Sequence, residues 1–361
     1  MATHFRKLKI KDLRKETENC VSISFEIPPE WRDEFQFHHG QNITLRKTLD
    51  GEELRRSYSI CSSPLEDELR IAVKKMEYGK FSSHVNQEFR AGDMIDVLPP
   101  TGKFFTRLDA TKPKNYLALV AGCGITPVLS IIKTTLASEP KSSFTLVYGN
   151  RDRHSIIFRE ALEALKNMYM DRFSLIHILS REKTEAPINE GRIDIDKCKS
   201  LFEKLIDLNK TDEIFICGPE EMIFSLSHFL GERTYPKDRI HFELFTVPGQ
   251  KSTGTTIKTR PPRSNNGEES LVSITLDGIS FSFDLPYDGE TILDAALKTG
   301  ADLPFACKGG VCASCRAKLI EGKVEMENNY ALEKDELEAG FILTCQSHPR
   351  SPTLRIDFDK K

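Results

Sequence analysis

The stretch KNYLALVAGCGITPVLSIIKTTLAS, Lys114–Ser138, decides how the rest of the chain is read. Tyr116 to Ala121 is an unbroken apolar run with no polar alternation. That is the signature of a strand buried on both faces, as in a parallel sheet. Two glycines end it, and apolar residues then recur at helical spacing from Val128. Gly122 and Gly124 permit a tight turn and let backbone N–H groups approach a phosphate, while Thr126 suits a helix cap and Pro127 its first turn. The turn is not G-x-G-x-x-G, because proline stands where the third glycine would be. Many strand-to-helix turns carry such glycines for packing alone.

Toward the C-terminus the same alternation repeats. Strands SFTLVYGNR, FSLIHILSR, DEIFICGP and RIHFELF alternate with helices IIFREALEALKNMY, DKCKSLFEKLID and EEMIFSLSHFLGER. Alternating strands and helices predict a doubly wound α/β module with a parallel sheet, spanning 110–247. Upstream, residues 1–109 read as short alternating strands separated by turns such as LDGEE and RAGD, with one helix near FSSHVNQEF. That pattern predicts an antiparallel β-barrel or sandwich. Residues 248–270 are rich in Gly, Pro, Ser, Thr and basic residues and hold one strongly apolar residue, Ile257, so they read as a linker. Residues 271–361 resume with strands and a helix, a separate module.

The chain has 361 residues and a net charge of −3. A near-neutral balance gives no electrostatic reason to expect nucleic-acid binding. The module 271–361 carries 15 acidic and 10 basic residues, a charge suited to a basic partner. No run of 18 apolar residues predicts a membrane span, and the N-terminus lacks the apolar core of a signal peptide. The expected location is cytoplasmic. There, clustered thiols serve metals or catalysis more often than disulfides.

Three of the nine cysteines lie in FACKGGVCASCRAK, Phe305–Lys318. The spacing Cys307-x4-Cys312-x2-Cys315, with Cys345 far downstream, matches the plant-type [2Fe–2S] pattern. Gly309 and Gly310 fit a loop whose N–H groups point at cluster sulfurs. A zinc ribbon needs two C-x2-C pairs, and this chain has one. A redox dithiol accounts for Cys312 and Cys315 but leaves Cys307 and Cys345 idle.

In the first module, RRSYS places Arg56 and Tyr58 on one face of a strand, with Ser59 next. Arginine can clamp phosphate and tyrosine can stack on a flat ring. The plainer reading is a solvated arginine beside a half-buried tyrosine. Gly79 and Ser82 in YGKFSSHV stand where a helix begins, a place for phosphate or for an ordinary capping serine. These residues do not separate FAD from FMN.

The order of these features resembles the ferredoxin–NADP reductase family extended by a plant-type ferredoxin domain of β-grasp (α+β) fold. The resemblance implies that Arg56, Tyr58 and Ser59 cradle FAD, with Tyr58 against the isoalloxazine. Val73, Lys74, Gly79, Phe81 and Ser82 would line the ribityl and pyrophosphate path. Gly122, Gly124, Thr126 and Pro127 would form the pyridine-nucleotide loop. Cys217, followed by Gly218 and Pro219, would sit beside the nicotinamide. Ser180 and Arg181, assisted by Arg151, would hold the 2′-phosphate of NADPH. Glu243 and Phe245 would approach the flavin, so that Ser59, Cys217 and Glu243 form the catalytic set. Cys307, Cys312, Cys315 and Cys345 would ligate the cluster.

The modules also need one another. NADPH gives two electrons as hydride and a [2Fe–2S] cluster takes one at a time, a mismatch that a flavin bridges. The stretches GEELRRSYSIC, AGCGITPVLSII, FICGPEEMI, ILDAALKTGADLPFACKGGVCASC and GKVEMENNYALEKDELEAGFILTCQSHP resemble the reductase subunits of ring 1,2-epoxidases of phenylacetate degradation. That implies electron delivery to a separate multi-subunit di-iron oxygenase. The alternatives are a reductase for a Rieske or ketosteroid-type hydroxylase, or a flavoreductase with a non-redox zinc or thiol module.

Overall fold

The structure is a computed structural model and describes residues 4–245 and 268–360. Most of the 248–270 span read as a linker therefore lies outside the described residues. Glu269 and Ser270, at its end, already belong to a strand.

The first module has six strands: β1 (Arg6–Thr17), β2 (Cys20–Glu26), β3 (Asn42–Leu49), β4 (Glu52–Ser59), β5 (Leu69–Lys74) and β6 (Met94–Thr101). They form an antiparallel sheet in the order β4-β3-β6-β1-β2-β5. An antiparallel bridge from Ile60, just past β4, to Ile71 of β5 joins the two ends. Alternate residues point inward, so Leu8, Ile10, Ile23, Ile43, Leu45, Ile71 and Val97 fill a shared interior. Helix α1 (Lys80–Glu88) plugs that interior with Phe81 and Val85.

The second module holds five parallel strands, β7 (Asn115–Ala121), β8 (Ser143–Asn150), β9 (Phe173–Leu179), β10 (Glu213–Gly218) and β11 (Ile240–Leu244), in the order β11-β10-β7-β8-β9. Its helices are α2 (Ile125–Ser138), α3 (Arg159–Met168), α4 (Ile195–Lys204) and α5 (Glu220–Glu232). The strand order reverses between β7 and β10, and such a switch point is where open α/β sheets take ligands.

The third module contains β12 (Glu269–Leu276), β13 (Ile279–Pro286), β14 (Arg316–Glu321), β15 (Val324–Met326), β16 (Phe341–Leu343), β17 (Ser347–Pro349) and β18 (Thr353–Asp357), with α6 (Ile292–Lys298) and α7 (Lys334–Glu338). Five strands form a mixed sheet, β13-β12-β18-β14-β16, in which β12 and β18 are parallel and the other pairs antiparallel. Ile292, Leu293 and Ala296 of α6 pack onto it, giving an α+β grasp.

Among the described residues no helix is long and apolar enough to cross a membrane.

Candidate functional site

The nucleotide turn is built by close packing. Gly122–Gly124 forms one 3-10 turn and Gly124 caps α2. A Cβ on Gly124 would stand 2.3 Å from the Cys217 carbonyl oxygen. Only glycine lets the end of β10 pass so close, and this brings AGCGITP and ICGP together at the switch point. Gly122 has φ +56, and its carbonyl accepts a 2.9 Å hydrogen bond from the Tyr148 hydroxyl. The 3-10 turn moves the helix cap from Thr126, where the sequence predicts it, to Gly124. Thr126 Oγ1 instead donates back to the Cys123 carbonyl at 3.0 Å. Thr126 and Pro127 are buried, Pro127 in the first turn.

At the ends of β8 and β9, Ser180 N donates to Asn150 O at 2.9 Å and Arg181 N to Arg151 O at 2.8 Å. The two loops therefore run side by side. Ser180, Arg151 and Arg181 are all exposed. The neighbouring Arg153 is already paired, with Glu182.

In the barrel, Gly79 caps α1 without a side-chain hydrogen bond. Ser82 lies in the first turn rather than at the cap. Its hydroxyl accepts from Met76 N at 3.0 Å and donates to Gly79 O at 3.3 Å, which pins the loop. The helix start thus keeps backbone donors for an anion. Lys74 ends β5 beside the Gly122 turn, its Nζ 3.8 Å from where a Gly122 Cβ would lie. Val73 and Phe81 point into the barrel interior, 0% and 2% exposed; their side chains hold the core and leave backbone as what they offer a ligand. Half-buried Tyr58 packs near Phe81, ring centroids 6.1 Å apart. Arg56 Nη1 donates to the Arg55 carbonyl at 2.7 Å.

Barrel and parallel sheet meet at Ser59. Its hydroxyl donates to Glu243 Oε2 at 2.9 Å. Glu243 pairs in register with Cys217 across β10 and β11. Burial pushes the Glu243 carboxyl up to about 8, against the Ser59 hydrogen bond, with a further upward push from Cys312. Glu243 therefore holds a proton at neutral pH. Burial, then Glu243, likewise pushes the Cys217 thiol up, so it stays neutral. Phe245, just past β11, is exposed.

The four loop cysteines are buried. Antiparallel pairing of β14 with β16, Arg316 opposite Leu343, brings the distant Cys345 to the loop. Thr344 Oγ1 seals the junction, donating to Cys315 O at 3.0 Å. Two thiol pairs result. Cys307 lies within hydrogen-bond reach of Cys312, which draws the Cys307 thiol down, and Cys315 lies likewise beside Cys345. No three metal-binding side chains converge on one point among the described residues.

The loop around them fits a bulky inorganic group. Lys308 and Ala313 have positive φ, and a Cβ on Gly310 would stand 2.9 Å from Asn328 O. Gly309 N donates to Cys307 Sγ at 3.3 Å, and the buried Ser314 hydroxyl lies beside Cys312.

The residue that sequence reasoning passes over is Arg55. Nothing within RRSYS assigns it a role of its own. Period-2 geometry, which sets it on the face opposite Arg56, is the signal that separates the two.

Fold and site together define a modular oxidoreductase: an FAD-binding barrel, a pyridine-nucleotide sheet and a plant-type [2Fe–2S] domain. The family models for the oxidoreductase FAD-binding domain, the oxidoreductase NAD-binding domain and the 2Fe-2S iron-sulfur cluster binding domain match residues 7–106, 119–228 and 274–350. The chain belongs to this family of oxygenase-type flavin and iron–sulfur reductases. It is 44% identical over 359 residues to one of the subunits of the 1,2-phenylacetyl-CoA epoxidase of Escherichia coli (strain K12), with 99% of each chain covered. It is 32% identical to the ferredoxin reductase component of 3-ketosteroid-9-alpha-monooxygenase of Rhodococcus rhodochrous, over 97% of this chain and 96% of that one. The solved structure of phthalate dioxygenase reductase, described as modular for electron transfer from pyridine nucleotides to [2Fe-2S], matches with TM-score 0.58 and 25% identity over 98% of both chains.

Proposed function

We propose that this chain passes electrons from NADPH through FAD and the [2Fe–2S] cluster to a separate multi-subunit di-iron oxygenase, a phenylacetyl-CoA epoxidase, in the cytoplasm. The observation that supports the electron path is the Ser59–Glu243 hydrogen bond between barrel and sheet, with Val311 of the cluster loop packed against the sheet's core. The 44% identity along the whole chain supports the acceptor. The described residues contain no Glu-x-x-His helix pair of the kind di-iron centres use, which favours an acceptor on another polypeptide.

In this reading Arg56 and the open start of α1 bind the FAD phosphates, and Tyr58 and Ser59 orient its ring. The Gly122–Gly124 turn receives the dinucleotide. Cys217 and Glu243 close the site against water, Glu243 with a proton held on its carboxyl. The exposed Arg151 and Arg181, with Ser180, form a cradle suited to a 2′-phosphate, which favours NADPH over NADH. The division into 1–109, 110–247 and 271–361 follows the same assignment.

The test is reconstitution of NADPH-dependent epoxidation of phenylacetyl-CoA with a candidate di-iron oxygenase, together with co-purification of the two. Turnover of a ketosteroid hydroxylase instead, with none of the epoxidase, would move the chain to the other branch of its relatives. A visible spectrum of the pure protein without sulfur-to-iron bands beyond the flavin would end the cluster assignment.

A further inference from the structure

Arg55 lies one residue before Arg56 but on the opposite face of β4, with its side chain 4% exposed. A buried guanidinium is costly unless its charge and donors are matched. Its partners are Glu53 (Nε to Oε1, 2.8 Å), the Leu303 carbonyl (Nη1, 3.0 Å) and Asp302 (Nη2 to Oδ1, 2.6 Å). The guanidinium also lies over the Phe305 ring at 4.2 Å and the Phe5 ring at 5.0 Å. Asp302, Leu303 and Phe305 belong to the segment that leads directly into Cys307. Arg46, opposite Arg55 in the β3–β4 register, takes the other Asp302 oxygen at 3.2 Å.

Arg55 and Ser59 share one face of β4, about 13 Å apart at ordinary strand rise. One end of that face grips the approach to the cluster loop. The other bonds Glu243 of the parallel sheet, against whose core Val311 of the cluster loop packs. A rigid strand thus sets the loop's distance from the flavin-binding side of the barrel. Electron transfer between two centres falls steeply with their separation, so this registration governs rate.

We propose that Arg55 is a positioning residue for electron transfer: it seats the ferredoxin domain on the barrel so that the cluster loop faces the flavin site. This rests on the reductase reading above. It assigns a role to a side chain outside the set that the reductase reading gives to flavin, nucleotide and cluster. The seat has further supports, Lys103–Glu336 at 2.9 Å and Phe224–Tyr330 at 6.0 Å between ring centroids, so losing Arg55 loosens the domain without detaching it.

The test uses the full-length holoprotein and Arg55→Met, which keeps an apolar stem and removes the charge. Two readouts are needed: stopped-flow rates of flavin and cluster reduction by NADPH, and hydrogen–deuterium exchange of the segment 301–305. The expected result is unchanged flavin content and flavin reduction, cluster reduction slowed about tenfold or more, equivalent to roughly 1.4 kcal/mol, and faster exchange at 301–305. Arg55→Lys, with the charge but not the planar fork, should recover part of the rate. Normal cluster reduction and exchange in Arg55→Met overturns the proposal. So does an equal loss of flavin reduction and cluster reduction, which would make Arg55 a flavin-site residue. A wild-type protein whose intact cluster NADPH cannot reduce would instead bring down the reductase reading, and this inference with it.

Discussion

Gly124 and Arg181 illustrate two kinds of requirement on a single residue. At Gly124 the constraint is space: any side chain meets the Cys217 carbonyl. Gly124→Ala should cost about 1–3 kcal/mol and loosen the nucleotide turn, measurable as a lower denaturation midpoint and weaker NADPH binding. At Arg181 the constraint is charge. Arg181→Ala should weaken NADPH by about tenfold or more, as for loss of a charged hydrogen bond, and NADH much less. Steady-state KM values for the two nucleotides check this, and an unchanged ratio removes the 2′-phosphate assignment. The family resemblance already marks Arg181 as a candidate, because a charge after a strand end is visible in the chain. The cause of Gly124 is not visible there, because the atoms it avoids belong to a strand some ninety residues away.

At the scale of elements, β4 and β11 carry the coupling. Glu243 on β11 holds its proton up to about 8, against an ordinary value of 4.5. Between those values the folded chain binds a proton that the unfolded chain releases, so this group makes stability fall as pH rises through that window. Its stabilising contribution is complete below 4.5 and gone above 8. Glu243→Gln should flatten that stretch of the stability–pH curve, measured by denaturant titration across pH. Ser59→Ala should raise the Glu243 pKa further, since the Ser59 hydrogen bond lowers it; infrared detection of the carboxyl stretch reports this directly. Strand β4 is legible from its alternation. The partner of Ser59 is not, because pairing between modules leaves no periodic trace.

For the whole molecule, order along the chain becomes a path in space. In the proposed function electrons enter at the switch point of the parallel sheet and leave at the cysteine loop, with the barrel between. Removing one cluster ligand should cut that path at its far end only. Cys345→Ser is expected to abolish cluster-dependent reduction of cytochrome c or an oxygenase while NADPH-to-ferricyanide activity stays largely intact. Equal loss of both would mean that the order is wrong. The docking of the third module also has a charge dependence. Burial raises the Asp302 carboxyl, but Arg55 and Arg46 together bring it below its ordinary 3.8. Its contribution is therefore present at neutral pH and lost as pH falls through that lowered value. Faster exchange at 301–305 in acid, absent in Asp302→Asn, would show it.

The sequence by itself determined the three modules, their order and the four cysteines. These depend on local signals: period-2 alternation, apolar strands ending in glycine, and ligand spacing within one loop. The family resemblance added which arginines are candidates for phosphate. Only the tertiary structure decided that Val73 and Phe81 serve the barrel interior, that Gly124 rather than Thr126 caps α2, and that Arg55, beside Arg56 in sequence, bonds Asp302 and Leu303 of the third module. The physical reason is that a strand turns successive side chains to opposite faces. What each face meets is fixed by packing against segments far away in the chain.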